Sequence, residues 1–205
     1  MCGRYSVLTE DEIIEIRKIL RDWAMKIVKD DFEEYDKEDG EVFPTDHAPV
    51  ITMGEDGVSF ENLRWGFRKW DGKGVIINAR VETIQTKSMF AQHLTAGRCV
   101  VPAGEYFEWE RVGKEKIKHF VKDREGNLLF MAGLYRDTKD GREFVIITKE
   151  AHGDILKIHD RMPVILRTDQ IESWLNGTLA PDEIVSEAFN AEVVPVDDEQ
   201  LQLEI

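Results

Sequence analysis

The feature that most constrains the fold of this chain is a succession of short runs rich in β-branched and aromatic residues. Each run is bounded by glycine, aspartate or lysine, which is the pattern of strands separated by turns. Since helical patterns are few, the chain is predicted to form a single α+β domain over residues 1–205, built on a curled, largely antiparallel sheet. The predicted β segments are residues 50–53, 59–65, 75–79, 99–109, 117–122, 128–135, 144–148 and 193–196.

The strongest helical pattern lies near the start of the chain. Thr9 and Glu12 have the spacing of a capping box, and the apolar residues that follow repeat at helical intervals. We therefore predict an amphipathic helix over residues 10–28. The acidic residues 29–41 are expected to form a surface loop, and the prolines within 43–49 predict an irregular approach to the sheet.

Two shorter helices are predicted near the end of the chain. One spans residues 169–175 and is stopped by Gly177, a residue that favours helix ends. The other spans residues 181–189, where Pro181 suits the first turn. We expect both to flank the sheet.

The composition excludes several classes of protein. No apolar run reaches the roughly 20 residues that span a bilayer, and the N-terminus lacks a signal-peptide pattern, so a cytoplasmic location is predicted. Cys2 and Cys99 are too few for a disulfide framework or a four-cysteine zinc site. We predict no metal, no cofactor and no association with a membrane.

The charge distribution is uneven. A net charge of −14 disfavours general nucleic-acid binding, because phosphates would be repelled. Residues 63–98, however, include seven basic residues and two acidic ones. This segment is compatible with a local basic face on an acidic protein.

Cys2 is a candidate nucleophile because of its position. Removal of Met1 would leave an α-amine and a thiol on adjacent carbons, a pair that condenses with an aldehyde to an imine and then to a thiazolidine ring. The unperturbed pKa values of about 7.7–8.0 for the amine and about 8.5 for the thiol leave a usable fraction of each nucleophilic near neutral pH. The alternative is that a small residue follows Met1 only because it suits processing.

Two stretches combine aromatic, amide and cationic groups. Trp65, Phe67 and Trp70 alternate with basic residues, a pattern that suits stacked bases beside a phosphate track. A hairpin with half-buried aromatics is the structural alternative. Asn78 and Arg80 follow a buried run and could hold a substrate oxygen and a phosphate, or simply end a strand.

Two further stretches carry candidate proton donors. In a strand, Tyr106 and Glu108 share one face while Phe107 and Trp109 share the other, so Glu108 is flanked along the chain by large apolar residues. These neighbours predict a raised carboxyl pKa suited to a proton donor. Glu105 is an alternative from the same segment. His159 precedes Asp160-Arg161-Met162-Pro163 in a predicted turn, where a histidine can carry protons.

In combination these motifs closely resemble the SOS response-associated peptidase (SRAP) family, whose members crosslink to abasic sites in single-stranded DNA. The match runs in order from residue 2 to about residue 166. It rests on Met1-Cys2-Gly3-Arg4-Tyr5, Pro44-Thr45, Trp65-Gly66-Phe67, Asn78-Ala79-Arg80-Val81-Glu82-Thr83, Arg98-Cys99, Phe107-Glu108-Trp109 and His159-Asp160-Arg161-Met162-Pro163.

The resemblance implies an SRAP-like pseudo-barrel with flanking helices, and an enzyme with peptidase or hydrolase and Schiff-base, lyase-like chemistry. Cys2 would be the nucleophile after aminopeptidase or autocatalytic removal of Met1, and Asn78 would hold the N-terminal residue or the sugar. Glu108, rather than Glu105, would be the catalytic carboxyl, and His159 the acid/base. The implied partner is abasic single-stranded DNA, met in the cytoplasm and on the nucleoid after damage. The implied DNA contacts are Arg4, Pro44, Trp65, Phe67, Trp70, Arg80, Thr148 and Arg161.

Two other functions fit parts of the pattern. An N-terminal-nucleophile amidohydrolase of the glutamine amidotransferase type also begins Cys-Gly after Met1, and would release ammonia from glutamine. A non-catalytic single-stranded nucleic-acid binding module would use the aromatic and basic stretch from Trp65 to Lys73 alone. A variant that lacks the Cys2 thiol separates the second alternative from a crosslinking protein.

Overall fold

The computed structural model describes residues 2–22, 27–30, 40–185 and 189–196. The helices in these ranges are α1 (Glu10–Asp22), α2 (Ser88–Ala91), α3 (Ile155–Ile158) and α4 (Ile171–Leu175), with short 3-10 turns at Val81–Thr83, Thr168–Gln170 and Glu183–Val185. The strands are β1 (Tyr5–Ser6), β2 (Ile27–Asp30), β3 (Glu41–Val42), β4 (His47–Gly54), β5 (Gly57–Trp65), β6 (Phe67–Arg68), β7 (Val75–Ile76), β8 (Asn78–Arg80), β9 (Arg98–Ala103), β10 (Glu105–Val112), β11 (Glu115–Asp123), β12 (Leu129–Thr138), β13 (Gly141–Glu150), β14 (Arg161–Pro163), β15 (Ile165–Leu166) and β16 (Ala191–Pro195).

Five of these strands close into a barrel. The order is β13, β12, β9, β4 and β5, each pair antiparallel, and β13 returns to β5 through a parallel pairing. Closure pairs the strand edges that an open sheet would expose. The predicted α+β class and curled, largely antiparallel sheet are confirmed, with the addition of parallel pairings at β13 and β2.

A second, five-stranded sheet brings the N-terminus to the barrel. Its order is β16, β11, β10, β1 and β3, and all neighbours are antiparallel. Tyr5 of β1 pairs with Tyr106 of β10, and the backbone N–H of Phe107 donates to the carbonyl of Arg4. Arg4 and Tyr5 therefore lie beside β10.

The core consists of two apolar clusters on opposite faces of β13. Val145 and Ile147 belong to the cluster that includes α1, whereas Phe144 and Ile146 belong to the cluster that includes Cys2. This division follows from the alternation of side chains along a strand. A fully buried side chain of this size contributes roughly 1.5–3 kcal/mol through the hydrophobic effect. The two clusters therefore pack on the two faces of β13, and the second of them contains Cys2.

The first helix is shorter than predicted. It ends at Asp22, and Ile27 begins β2, which pairs in parallel with β5. Pairing with the sheet thus prevails over the helical periodicity of the sequence. The predicted loop is also wrong at its ends, since residues 29 and 30 lie in β2 and Glu41 is buried in β3. Residues 23–26 and 31–39 lie outside the described residues.

Other boundaries differ from the prediction as well. Segment 75–79 divides into β7 and β8, and segment 99–109 divides at Gly104, where an added Cβ would lie 2.4 Å from the Glu12 carboxylate. Of the helix predicted at 181–189, the structure describes a 3-10 turn at Glu183–Val185, while residues 186–188 lie outside the described ranges. None of the described helices is long and apolar enough to cross a membrane.

Candidate active site

The carbonyl of Cys2 is anchored by an asparagine from the strand β8. β8 runs parallel to β13, with Asn78 opposite Ile146, and the Asn78 Nδ2 atom donates a 2.8 Å hydrogen bond to the Cys2 carbonyl oxygen. The Cys2 side chain is fully buried, and its Sγ atom contacts the carbonyl of Arg4 at 3.7 Å. The backbone of Cys2 is therefore held at a defined place against the barrel.

Glu108 supplies a buried carboxyl group to the same site. Its strand, β10, is the partner of the N-terminal strand β1, and the Glu108 residue is 2% exposed. Burial raises the pKa of Glu108, the direction predicted from its apolar neighbours. Burial also raises the pKa of the Cys2 thiol, and the nearby charge of Glu108 adds to that increase. The buried environment therefore favours the protonated, uncharged forms of the Cys2 thiol and the Glu108 carboxyl.

His159 faces this carboxyl group. Its Nε2 atom lies 4.0 Å from Glu108 Oε2. Its Nδ1 atom lies 2.9 Å from the backbone nitrogen of Arg161, which donates a hydrogen bond to it, and 2.9 Å from Asp160 Oδ1. These contacts at Nδ1 orient the ring so that Nε2 is on the side of Glu108. Glu108 and His159 therefore form a pair between which a proton can pass.

The four predicted catalytic residues therefore meet at one place. Cys2, Asn78, Glu108 and His159 come from the N-terminus, β8, β10 and the turn before β14. The contacts are the hydrogen bond from Asn78 to Cys2 and the pair of Glu108 with His159, and the charge of Glu108 acts on the Cys2 thiol. A thiol beside a carboxyl and an imidazole is an arrangement suited to nucleophilic attack with proton transfer.

Several predicted nucleic-acid contacts are accessible at the surface. Trp70, in the turn between β6 and β7, is 96% exposed, and Arg80 at the end of β8 is also exposed. The guanidinium of Arg4 lies over the rings of Phe43 and Trp109 and pairs with the Glu41 carboxylate at 3.2 Å. Pro44 is half-buried in the turn before β4, next to Thr45, whose φ of 85° is rare for a β-branched residue.

Two of the predicted base-stacking aromatics lie inside the protein. Trp65 and Phe67 are fully buried. Trp65 packs against Tyr5 and Phe144 and donates its indole N–H to the Ile77 carbonyl, because β5 runs through the barrel wall. Phe67 lies under the Arg136 guanidinium at 4.5 Å. Of the three predicted stacking residues, Trp70 is the one exposed to solvent.

Thr148 and Arg161, two further predicted nucleic-acid contacts, lie mostly inside the protein. Thr148 is fully buried, and its hydroxyl donates to the Ala79 carbonyl at 3.5 Å. Arg161 is 8% exposed, and its guanidinium binds the Glu82 carboxylate at 2.8 and 3.0 Å and the Thr148 carbonyl at 2.7 Å. Both side chains are occupied inside the protein.

The pair of Glu82 with Arg161 is a feature that sequence reasoning missed. β13 pairs with β8 on one side and with β14 on the other, so the pair connects the Asn78 segment to the His159 turn across β13. The signal was present in the sequence, because a glutamate follows Asn78 and Arg80 at close range. Its partner could not be read from the sequence, since it lies 79 residues further on.

A buried glutamate also supports the hairpin that carries Trp70. Glu143 on β13 is 2% exposed and accepts a hydrogen bond from the backbone N–H of Arg68 at the base of the hairpin. The guanidinium groups of Arg68 and Arg136 lie within 3.1 Å and 2.8 Å of its carboxylate oxygens. Trp70 therefore lies at the exposed end of a hairpin whose base is fixed by contacts with Glu143.

The described part of the chain contains no group of three or more histidine, cysteine, aspartate or glutamate residues able to hold a metal ion.

Beside His159 lies an open cavity of about 400 Å³, lined by Trp109, Arg111 and Lys157 among others. This cavity gives the imidazole a solvent-facing side, while its Nε2 atom faces Glu108.

Comparison with known proteins identifies relatives along nearly the whole chain. The abasic site processing protein YoqW of Bacillus subtilis is 36% identical over 194 residues, which cover 86% of this chain and 80% of YoqW. YedK of Escherichia coli, also named an abasic site processing protein, is 26% identical over 89% of this chain and 83% of its own. YMR114C of Saccharomyces cerevisiae bears the same description and is 27% identical over 90% of this chain, which spans 59% of the yeast protein.

Solved structures share the fold. A crystal structure of a protein from Bacteroides thetaiotaomicron superposes with a TM-score of 0.77 at 25% identity, covering 98% of this chain and 94% of the other. A phage-related protein from Bordetella bronchiseptica superposes with a TM-score of 0.75 at 21% identity over 95% and 94% of the two chains. The model of the family described as SOS response associated peptidase (SRAP) matches residues 1–203, and the chain therefore belongs to the SRAP family.

Proposed function

We propose that this protein processes abasic sites in single-stranded DNA by forming a covalent thiazolidine crosslink through Cys2. The observation that carries the proposal is the anchoring of the Cys2 carbonyl by Asn78 in a site that also contains the pair of Glu108 with His159. The names of the relatives point to the same lesion. An abasic site is in equilibrium with a ring-opened aldehyde, which is the electrophile that an aminothiol captures.

The first step is removal of Met1, which exposes the α-amine of Cys2. The small Cys2 side chain is compatible with removal by an aminopeptidase, and an autocatalytic route would use the same neighbouring groups. The Asn78 hydrogen bond is made to the Cys2 carbonyl rather than to its amine. The anchor is therefore compatible with cleavage on the amine side and with later attack by that amine.

The second step joins nitrogen to carbon. The neutral amine adds to the aldehyde carbon and gives a carbinolamine, which loses water to form an iminium ion. Loss of water requires a proton on the departing oxygen, and Glu108 with its raised pKa is suited to donate it. His159, paired with Glu108 through Nε2, can restore that proton.

The third step joins sulfur to the same carbon. The C–S bond forms, the π electrons of the C=N bond move to nitrogen, and the thiol proton is released. The products are a neutral thiazolidine and one proton, which the Glu108–His159 pair can accept. The adduct is covalent, so it resists detergent, and ring closure removes the C=N bond that water would hydrolyse, so it also resists heat.

The proposed DNA contacts lie outside the reacting groups. Trp70 offers an exposed ring for stacking on a base, while Arg80 and Arg4 offer cations for phosphates. With a net charge of −14, we expect weak binding of intact strands that falls steeply with salt. Covalent capture does not require tight prior binding, because a brief encounter at the lesion is sufficient.

The test uses Met1-processed protein and a labelled single strand that contains one abasic site. We expect a heat-stable adduct on a denaturing gel, with an intact mass equal to protein plus DNA less one water. The control strand carries a reduced abasic site, which has no aldehyde, and should give no adduct. Adduct formation on the reduced strand, or equal capture of a duplex, would contradict the proposal. Ammonia release from glutamine would favour the amidohydrolase alternative instead.

A further inference from the structure

A second buried polar residue lies beside the proposed nucleophile. Tyr106 is on β10, two residues before Glu108, so the two side chains lie on the same face of the strand. Tyr106 pairs with Tyr5 of β1, three residues after Cys2, and belongs to the same apolar cluster as Cys2. The phenol therefore packs into the region where Cys2 and Glu108 meet.

The hydroxyl of Tyr106 has no hydrogen-bond partner among the described residues, although the side chain is 0% exposed. Buried polar groups are nearly always hydrogen-bonded, and an exception of this kind requires an explanation. The Asn78 Oδ1 atom, whose amide nitrogen holds Cys2, is a second unpartnered buried atom within the same described part of the chain. Two unsatisfied polar atoms thus lie in one site.

The protonation state of the phenol makes it a hydrogen-bond donor. Burial raises the pKa of Tyr106, and the neighbouring Cys2 and Glu108 charges raise it further. The hydroxyl therefore keeps its proton at neutral pH. The Cys2 thiol is itself hard to ionise in this site, because burial raises its pKa as well. A hydrogen-bond donor near the Cys2 sulfur would make it easier for the thiol to lose its proton.

We propose that the Tyr106 hydroxyl donates a hydrogen bond to the Cys2 sulfur while that sulfur closes the thiazolidine ring. This inference rests on the proposed function and assigns a further catalytic residue to it. The C–S bond forms, the C=N π pair moves to nitrogen, and the thiol proton passes to the Glu108–His159 pair. Tyr106 keeps its own proton throughout and stabilises the negative charge that appears on sulfur as the thiol proton leaves, and sulfur then uses that electron pair to form the C–S bond.

The test is Tyr106→Phe, which removes the hydroxyl and retains the ring that packs in the core. Two rates are measured with abasic single-stranded DNA. Trapping with borohydride reports imine formation by the amine, and the heat-stable adduct formed without reductant reports ring closure by sulfur. We expect ring closure to slow roughly tenfold or more, while imine trapping stays within about twofold of the wild-type rate because the amine step does not use the phenol.

Tyr135→Phe is the matched control, since this phenol lies on β12 beside Arg142 and we expect neither rate to change. Unchanged ring closure in Tyr106→Phe, or equal slowing of both rates, would overturn the inference while leaving the proposed function intact. A wild-type protein that forms neither an imine nor a stable adduct would overturn the proposed function and this inference together. Thermal melting checks that both variants remain folded, as expected for removal of a hydroxyl alone.

Discussion

The side-chain amide of Asn78 donates a 2.8 Å hydrogen bond to the main-chain carbonyl of Cys2, from 76 residues further along the chain. The bond fixes Cys2 by its carbonyl oxygen, an atom that the proposed reaction does not consume. The fold sets this contact, because β8 lies parallel to β13 and β13 forms part of the closed barrel. A chain terminus, which is often poorly ordered, is thereby tied to a rigid element.

Asn78→Ala should slow crosslinking without unfolding the protein. Loss of one hydrogen bond to the reacting residue corresponds to about 1–2 kcal/mol, or roughly 5–30-fold in rate. The measurement is the single-turnover rate of heat-stable adduct formation with abasic single-stranded DNA. Asn127→Ala is the control, because that exposed amide bonds to Asp123 in a turn between β11 and β12. Wild-type rates in Asn78→Ala would show that the anchor has no part in the reaction.

Glu108→Gln should stabilise the fold at neutral pH and slow the reaction. Since burial raises the pKa of Glu108, the folded protein holds the proton more tightly than the unfolded chain does. Stability is therefore lost as pH rises from about 4.3, the unfolded value, to the raised folded pKa. A glutamine at position 108 has no carboxyl group to ionise, so the variant does not lose stability in this pH range.

Urea unfolding measures the effect. We expect Glu108→Gln to unfold at higher urea than wild type at pH 7, and the difference to disappear at pH values below about 4. Crosslinking by the same variant should fall by about 100-fold or more, the usual contribution of a general acid. Glu115→Gln, at an exposed position on β11, is the control. A variant less stable than wild type at pH 7 would contradict the predicted sign.

Glu82→Gln should destabilise the fold at neutral pH. The hydrogen bonds from Arg161 lower the pKa of Glu82, so their stabilisation is complete above the unfolded pKa and is lost as pH falls through the folded pKa. Because the Glu82 side chain is 42% exposed, we expect a loss of about 1 kcal/mol at pH 7 rather than the larger cost of breaking a fully buried pair.

The check is urea unfolding of Glu82→Gln and wild type at pH 7 and at pH 3. The gap between the two proteins should narrow in acid, where wild-type Glu82 is itself protonated. Glu172→Gln, at an exposed position on α4, should show no such gap. A constant difference at both pH values would mean that the ion pair does not supply the stability.

Trp70→Ala should weaken DNA binding and leave stability unchanged. The side chain is 96% exposed, so its removal creates no cavity. Loss of one stacked base corresponds to about 1–3 kcal/mol, or roughly 5–150-fold in the dissociation constant for an intact single strand. Fluorescence anisotropy at low salt measures it. Val112→Ala, an exposed apolar residue on another hairpin, is the control, and an equal effect there would contradict a specific role for Trp70.

The sequence was informative where the structure depends on neighbouring residues. The capping box between Thr9 and Glu12 is present, with hydrogen bonds of 2.7, 2.9 and 3.3 Å. The alternation of β10 predicted the raised pKa of Glu108. The catalytic roles of Cys2, Asn78 and His159 stay predictions, although the structure places all of them together.

The sequence was misleading where the structure depends on pairing between distant segments. Trp65 has basic neighbours, yet the pairing of β5 with β4 and β13 places its ring inside the barrel. The contact of Arg161 with Glu82 was likewise not predictable, because it arises from the pairing of β13 with both β8 and β14. Local patterns do not contain such contacts, because each depends on strand order and register.

The most direct test of the central claim compares Met1-processed wild type with Cys2→Ala on abasic single-stranded DNA. Both retain an α-amine, but the variant has no sulfur to close the ring. We predict a heat- and detergent-stable adduct for wild type without reductant, and an adduct for Cys2→Ala when borohydride traps the imine but none in its absence. A stable adduct of equal yield from Cys2→Ala without reductant would contradict the account, because the crosslink would then owe nothing to the thiol.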